Sequence, residues 1–423
     1  MFVVGNNSIR GPVAKTLLLI LLVASLGLPV SMYAGEKKKK GSAPPEKPLI
    51  ERLDYSKIVW PNPPAITRLK YLDFFAAEKL PTKGSEKKGA WMDRLSGLAT
   101  GETRSDRPFF QLAQPYGMGV DSQNRLYVAD TKVAAIFVFN TETKDVELIK
   151  NGVNAHFGMI TGLVIDDSDR LFVSDSVLRH VLVFDAKRRA EATIAEGLSS
   201  PAGLAIDNEN RFLYVADTDL DQVLVYDADS FKLLRKIGTA GKAHRLTEPG
   251  QFSRPTNVAV DADGNLYVSD TFNNRVEIFD ADGNFMSTFG KAGDGPGYFS
   301  RPKGIAIDKD GHVWVADSMQ DRVQVFTPQG QLLLWLGGHG ILPGQFSAIQ
   351  GLTVDKNNRV FTSEQYPGRV QMFRYITNDE ALAEKARRDA EKTSVEKPVK
   401  SEQAPADKNA APVAGKPQSP TVN

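Results

Sequence analysis

Residues 254–280 read RPTNVAVDADGNLYVSDTFNNRVEIFD. Three short runs stand out, NVAVD, NLYVSD and RVEIFD, separated by DADG and by TFNN. Apolar and polar residues alternate within each run, which turns one side of each toward a core. Asp-Gly and Asn-Asn supply the reversals. The stretch therefore predicts an antiparallel meander of three strands.

The same unit occurs six times, beginning at Gln114, Met159, Ser200, Arg254, Arg301 and Ala348. The aspartate ending its first strand recurs as Asp121, Asp166, Asp207, Asp261, Asp308 and Asp355, at spacings of 45, 41, 54, 47 and 47 residues. Between copies lies a more polar run such as FKLLRKIG, NFMSTFG or QLLLWLG. Four strands in a repeat of this length make one blade of a β-propeller, so the expected fold is all-β with six blades. The sixth copy has no fourth strand downstream. Residues 67–75, TRLKYLDFF, alternate Leu69, Tyr71 and Phe74 with charged residues and are expected to supply it, closing the ring with an N-terminal strand. Residues 90–98 place Trp91, Leu95 and Leu98 on one face of a short helix, read as packing on an end of the ring.

The recurring P-x-G-[VIL]-A-[VI]-D, [VL]-[YFW]-V-[AS]-D and R-V-x-[VI]-F segments resemble the NHL repeat. Over roughly residues 60–375 the chain is similar to exported bacterial NHL-repeat six-bladed propellers. Its departures are local: Ile160 and Ile349 replace the opening proline, Glu364 replaces the last strand-end aspartate, and Ala135 and His180 stand where other blades carry Arg. The resemblance implies a binding scaffold, since many such exported propellers serve that use.

The flanks differ in character. In residues 1–34, Arg10 and Lys15 precede an apolar run at 16–32, followed by Ser31 and Ala34, the pattern of an export signal cleaved after Ala34. An uncleaved inner-membrane anchor is the alternative, and Lys37 to Lys40 oppose export. Periplasmic or extracellular localisation follows from the first reading. Residues 35–65 are rich in Lys and Pro and read as a tether, 66–376 as the propeller, and 377–423 as a charged helix (about 377–391) followed by a disordered tail. The absence of cysteine excludes disulfides, thiol catalysis and cysteine-bound zinc.

Function is expected where the inner strands begin, at the channel mouth. One residue per blade lies there, among them Tyr116, Thr161, Thr256, Lys303 and Gln350, with Arg254 and Arg301 two residues before their blade's position. These seven are the expected contacts to a protein partner or small ligand of a monomeric, non-enzymatic envelope module. The strand-end acids Asp130, Asp175, Asp217, Asp270 and Asp317 repeat too regularly to be catalytic and read as turn caps; Glu364 breaks the series.

The alternative is a metal-dependent lyase or hydrolase. His156, His244 and His339 fall in loops leading into every second blade, and three imidazoles suit an open zinc site. Amidating lyases among the resembling propellers use zinc this way, but their histidine positions correspond here to Gly117, Gly162, Gly203, Asn257, Gly304 and Gly351. No resident cofactor is expected; zinc or calcium on these histidines and Glu364 remains the enzyme's requirement. Nucleic acid is not expected. Residues 109–375 carry 26 Lys and Arg against 33 Asp and Glu, a net of −7 that repels phosphate. The aromatics Tyr127, Phe172, Tyr214, Tyr267, Trp314 and Phe361 recur with the blade period, as core residues do.

Overall fold

The computed structural model describes residues 53–77, 111–152, 155–239 and 248–395. They form six antiparallel sheets, five of four strands and one of five. Blade four shows why the repeat folds as it does. Its strands Pro255–Val260, Leu266–Asp270, Arg275–Phe279 and Phe285–Phe289 pair in sequence order, with Ala259 opposite Tyr267, Tyr267 opposite Ile278, and Ile278 opposite Ser287. The two middle strands are buried on both faces because neighbouring blades cover them on either side, whereas the outermost strand is exposed except for Phe289. In blade four the strand-to-strand links are tight turns, and the loops that join it to its neighbours are longer.

Six buried clusters fill the interfaces between consecutive blades. Tyr214, Phe252 and Phe279 lie between blades three and four, and Tyr267, Phe299 and Phe326 between four and five. Trp314, Phe346 and Phe373 lie between five and six. Phe361 and Phe137 join blade six to blade one, which closes the circle. The chain is a six-bladed β-propeller.

The last blade is completed from upstream. Its sheet runs Ile349–Val354, Arg359–Glu364, Arg369–Tyr375, Leu69–Phe75 and Val59–Trp60. Leu69 pairs with Tyr375 and Tyr71 with Phe373, after which the register shifts between Tyr71 and Asp73. That bulge adds one residue to the strand. Leu69 and Tyr71 face blade five, and past the bulge Phe75, 2% exposed, is turned to the other face, against Phe137 and Phe139 of blade one; Phe74, expected among the buried residues, is only half-buried. A further difference lies in residues 53–65. Tyr55 and Trp60 leave the expected tether to pack on Tyr71 and Phe373, because the outer face of the closing strand is aromatic and needs cover. Trp60 crosses so close to Gly344 that a Cβ there would sit 2.2 Å from its ring.

The C-terminal helix Asn378–Val395 starts at a capping box. The Glu380 side chain accepts from the Thr377 N–H at 3.0 Å, and Thr377 Oγ1 accepts from the Glu380 N–H at 3.4 Å. No helix among the described residues is long and apolar enough to cross a membrane. The helix expected at 90–98 lies outside the described residues.

Phe373 is 1% exposed and meets the rings of Trp60, Tyr71 and Phe346 at centroid distances of 5.8, 5.3 and 6.2 Å. Phe373→Ala should therefore lower unfolding free energy by about 3–5 kcal/mol. Leu72→Ala, at the outward-facing bulge, should cost less than about 1 kcal/mol. Urea titrations of both variants measure this. Equal losses would mean that the closing strand does not hold the ring in the way described.

Candidate binding face at the channel mouth

The inner strands all begin on one face, here called the front, and end on the other. Close to the front they touch. A Cβ on Gly162 would stand 2.0 Å from the Ala202 carbonyl oxygen of the next blade, and one on Gly351 only 2.1 Å from that of Tyr116. Only glycine permits this approach. The register shift after the first residue of the inner strand, seen in every blade, frees backbone groups at this level, and side-chain hydroxyls take them up. Ser363 Oγ accepts from the Gly351 N–H at 2.9 Å and donates to the Tyr116 carbonyl at 2.7 Å; Ser174 joins Gly162 to Ala202 in the same way. Blade four departs by placing Asn257 at the glycine position. Its side-chain Nδ2 lines the channel, buried and without a partner. Behind this constriction the channel is walled by Leu163, Val258, Ile305 and Leu352 and widens toward the back to a cavity of about 590 Å³ edged by Asp121, Asp166 and Asp355.

The residues expected to ring the mouth make lateral contacts from blade to blade. Thr161 Oγ1 donates to the Pro201 carbonyl at 3.1 Å, while the Thr256 hydroxyl meets that of Thr271 in its own blade at 2.7 Å, and Thr271 Oγ1 in turn reaches the Pro302 carbonyl of blade five. Lys303 Nζ donates to Gln350 Oε1 at 2.5 Å and stands 5.7 Å from the centre of the Tyr116 ring. Burial pushes the Tyr116 phenol up to about 12, and burial, then the neighbouring Arg301, lower the Lys303 pKa. Thr256 and Gln350 are buried, whereas Arg254 is exposed. Both Arg254 and Arg301 lie over the ring of Phe272, at 5.9 and 4.3 Å.

The loops between second and third strands share this face and carry residues that site reasoning from the sequence missed. Val177, Phe272, Met319 and Tyr366 are 59%, 45%, 71% and 63% exposed. Each is the second residue after its blade's strand-end acid, and that regularity was available in the sequence. The acids themselves hold the loops. Asp130 Oδ2 accepts from the Ala113 and Gln114 N–H groups, and its Oδ1 from those of Lys132 and Val133. Asp317 does the same for Ser300, Arg301, Met319 and Gln320.

Glu364 is fully buried. It accepts from Ser347 N–H, from Arg369 and from Gln371 Nε2, and burial, outweighing Arg369, lifts its carboxyl to about 7. His156 is exposed, and His339 Nδ1 meets Asp321 Oδ2 at 2.7 Å; His244 lies outside the described residues. Among the described residues the group of three able to share a metal is Asp308, Asp310 and His312, on the back face, which includes none of these candidates. His312 stands where blades one, two and six place Arg125, Arg170 and Arg359 against the turn aspartate, and it bonds Asp308 at 3.0 Å.

A family model described as a 6-bladed beta-propeller matches residues 251–313. Over 44 residues the chain is 48% identical to Protein brain tumor of Drosophila melanogaster, covering 10% of this chain and 4% of that protein. The likeness there is to one blade-sized unit. Among solved structures, a structural genomics protein from Bacteroides thetaiotaomicron aligns at TM-score 0.50 and 15% identity, over 62% of this chain and 70% of that one. Virginiamycin B lyase from Staphylococcus aureus aligns at 0.47 and 14% over 62% and 96%. XC5397 from Xanthomonas campestris, a gluconolactonase, aligns at 0.48 and 21% over 62% and 87%. At these identities the likeness is one of fold.

The front loops of blades four to six are anchored from beneath by one slot in the third strand. Gln324 Oε1 accepts from Gly297 N–H at 2.7 Å and Gln371 Oε1 from Gly344 N–H at 2.9 Å, while their amides donate to the carbonyls of Tyr298 and Gln345. In blade four the slot holds Glu277, buried, accepting from Gly250 N–H at 3.1 Å and facing Arg275. Burial raises its carboxyl to about 7 from 4.5. The folded state thus binds this proton more tightly than the unfolded one, and stability falls as pH rises from about 4.5 to 7. Glu277→Gln keeps the acceptor and removes the titration. The variant should exceed the parent in stability above pH 7 by on the order of 1–3 kcal/mol, and the gap should close at acid pH. Thermal melts across pH measure it; a gap independent of pH would refute the assignment.

Proposed function

We propose that this propeller is a non-enzymatic interaction module that presents its front face to a partner. The observation that carries the reading is the combination on that face of exposed Val177, Phe272, Met319 and Tyr366 with Arg254, Arg301 and Lys303. Large apolar side chains exposed together on one face are a usual mark of an interaction surface. Here they sit on loops that the buried strand-end acids hold rigidly, so little ordering is required on association. The apolar run at 16–32 supports a location in the cell envelope, with the flanks as tethers. For a metal-dependent lyase or hydrolase, Glu364 would first have to give up its bonds to Ser347, Arg369 and Gln371.

Partner capture from envelope extracts separates the faces. Met319→Asp with Tyr366→Asp should abolish recovery of partners that the parent retains, and Lys309→Glu on the back face should leave recovery intact. His156→Ala with His339→Ala should also leave it intact. Identical recovery by the front-face variant and the parent would dispose of the reading.

A further inference from the structure

We propose that the front face takes an acidic peptide segment of a partner protein, its carboxylates seated at Arg254, Arg301 and Lys303 and its apolar side chains on Phe272, Met319 and Tyr366; this rests on the interaction reading above. The argument begins with missing counter-charges. Arg125, Arg170, Arg275, Arg359 and Arg369 each hold a carboxylate within 3 Å. Among the described residues, no carboxylate pairs with the guanidinium of Arg254 or Arg301 or with the ammonium of Lys303; Asp221 and Asp317 accept only from the backbone N–H groups of Arg254 and Arg301. What faces them is an aromatic ring, a neutral amide and a backbone carbonyl: Phe272 under both guanidinium groups, Gln350 Oε1 on Lys303, and the Ser300 carbonyl on Arg301 Nη1 at 3.1 Å.

Lys303 is half-buried, with Arg301 two residues before it. A desolvated ammonium beside a second cation is costly without an anion, and the lowered Lys303 pKa has that cause. A carboxylate placed among the three groups would remove the cost. Guanidinium on a ring also keeps its edge N–H donors free for such an acceptor.

The surroundings decide what carries the carboxylate. With a net of −7 over residues 109–375, an extended polyanion crossing the body would meet repulsion away from the mouth. A short peptide needs only the mouth itself. The close approach of Gly162 to Ala202 and of Gly351 to Tyr116 draws the inner strands together just behind the mouth, and a segment lying across the face has no need of the channel. Phe272, Met319 and Tyr366, on three consecutive blades, then receive its apolar residues.

The test uses the full chain and fluorescence anisotropy with short labelled probes: a peptide alternating Asp and Leu, its Lys-for-Asp and Asn-for-Asp counterparts, and a single-stranded oligonucleotide of matched charge. The Asp peptide should bind, more weakly as salt rises, and the Lys and Asn peptides at least about tenfold less well. Arg301→Gln with Lys303→Gln should weaken the Asp peptide about tenfold or more, and Lys303→Arg alone should retain most of the binding. Melting curves verify that each variant folds. Asp-peptide binding unchanged by the double substitution, or tighter binding of the oligonucleotide, would overturn the proposal. Should no probe bind while Met319→Asp with Tyr366→Asp still abolishes partner capture, the acidic-peptide inference falls and the interaction reading stands.

Discussion

The fold depends on how closely six inner strands approach one axis. At the front they come near enough that the glycines of five blades have no room for a methyl group, and hydroxyls of Ser174 and Ser363 bridge one blade's amide to the next blade's carbonyl. Thr271 makes a comparable link to Pro302 at 2.7 Å. These links are short, polar and inside the ring, whereas the six aromatic clusters lie further out. The clusters supply most of the burial; the inner links fix where each loop stands, and so determine what the mouth can present.

Much of this was legible in the sequence, for a physical reason. A meander has period two and tight turns, both local properties, and six copies repeat them. The closing strand could be read because a blade without its fourth strand leaves an unpaired edge that something must fill. The bulge at Leu72 could not, since a slip of one residue leaves the composition unchanged and only the partner strand reveals it. That is why Phe75 packs toward blade one while Tyr71 packs toward blade five. Nor did alternation predict Trp60, whose place depends on aromatic surface created elsewhere in the chain.

The mouth was legible in position but not in detail. Counting from the glycine located Tyr116, Thr161, Thr256, Lys303 and Gln350, yet their lateral contacts come from neighbours some forty residues away. Phe272, Met319 and Tyr366 carried a positional signal, but an exposed apolar residue in one loop says little until four of them share a face. The slot at Ser174, Ser269 and Ser363, which alternates with Ala129, Ala216 and Ala316 around the ring, looks like neutral variation in a repeat. In two of these three blades its hydroxyl carries the link between inner strands.

The ring closure also places a seam. Leu69 pairs with Tyr375, so the closing strand begins where the last strand of the sixth repeat ends, side by side in the outer part of the last blade. A pull that parts these two strands undoes the circle at one place, as a belt opens at its buckle.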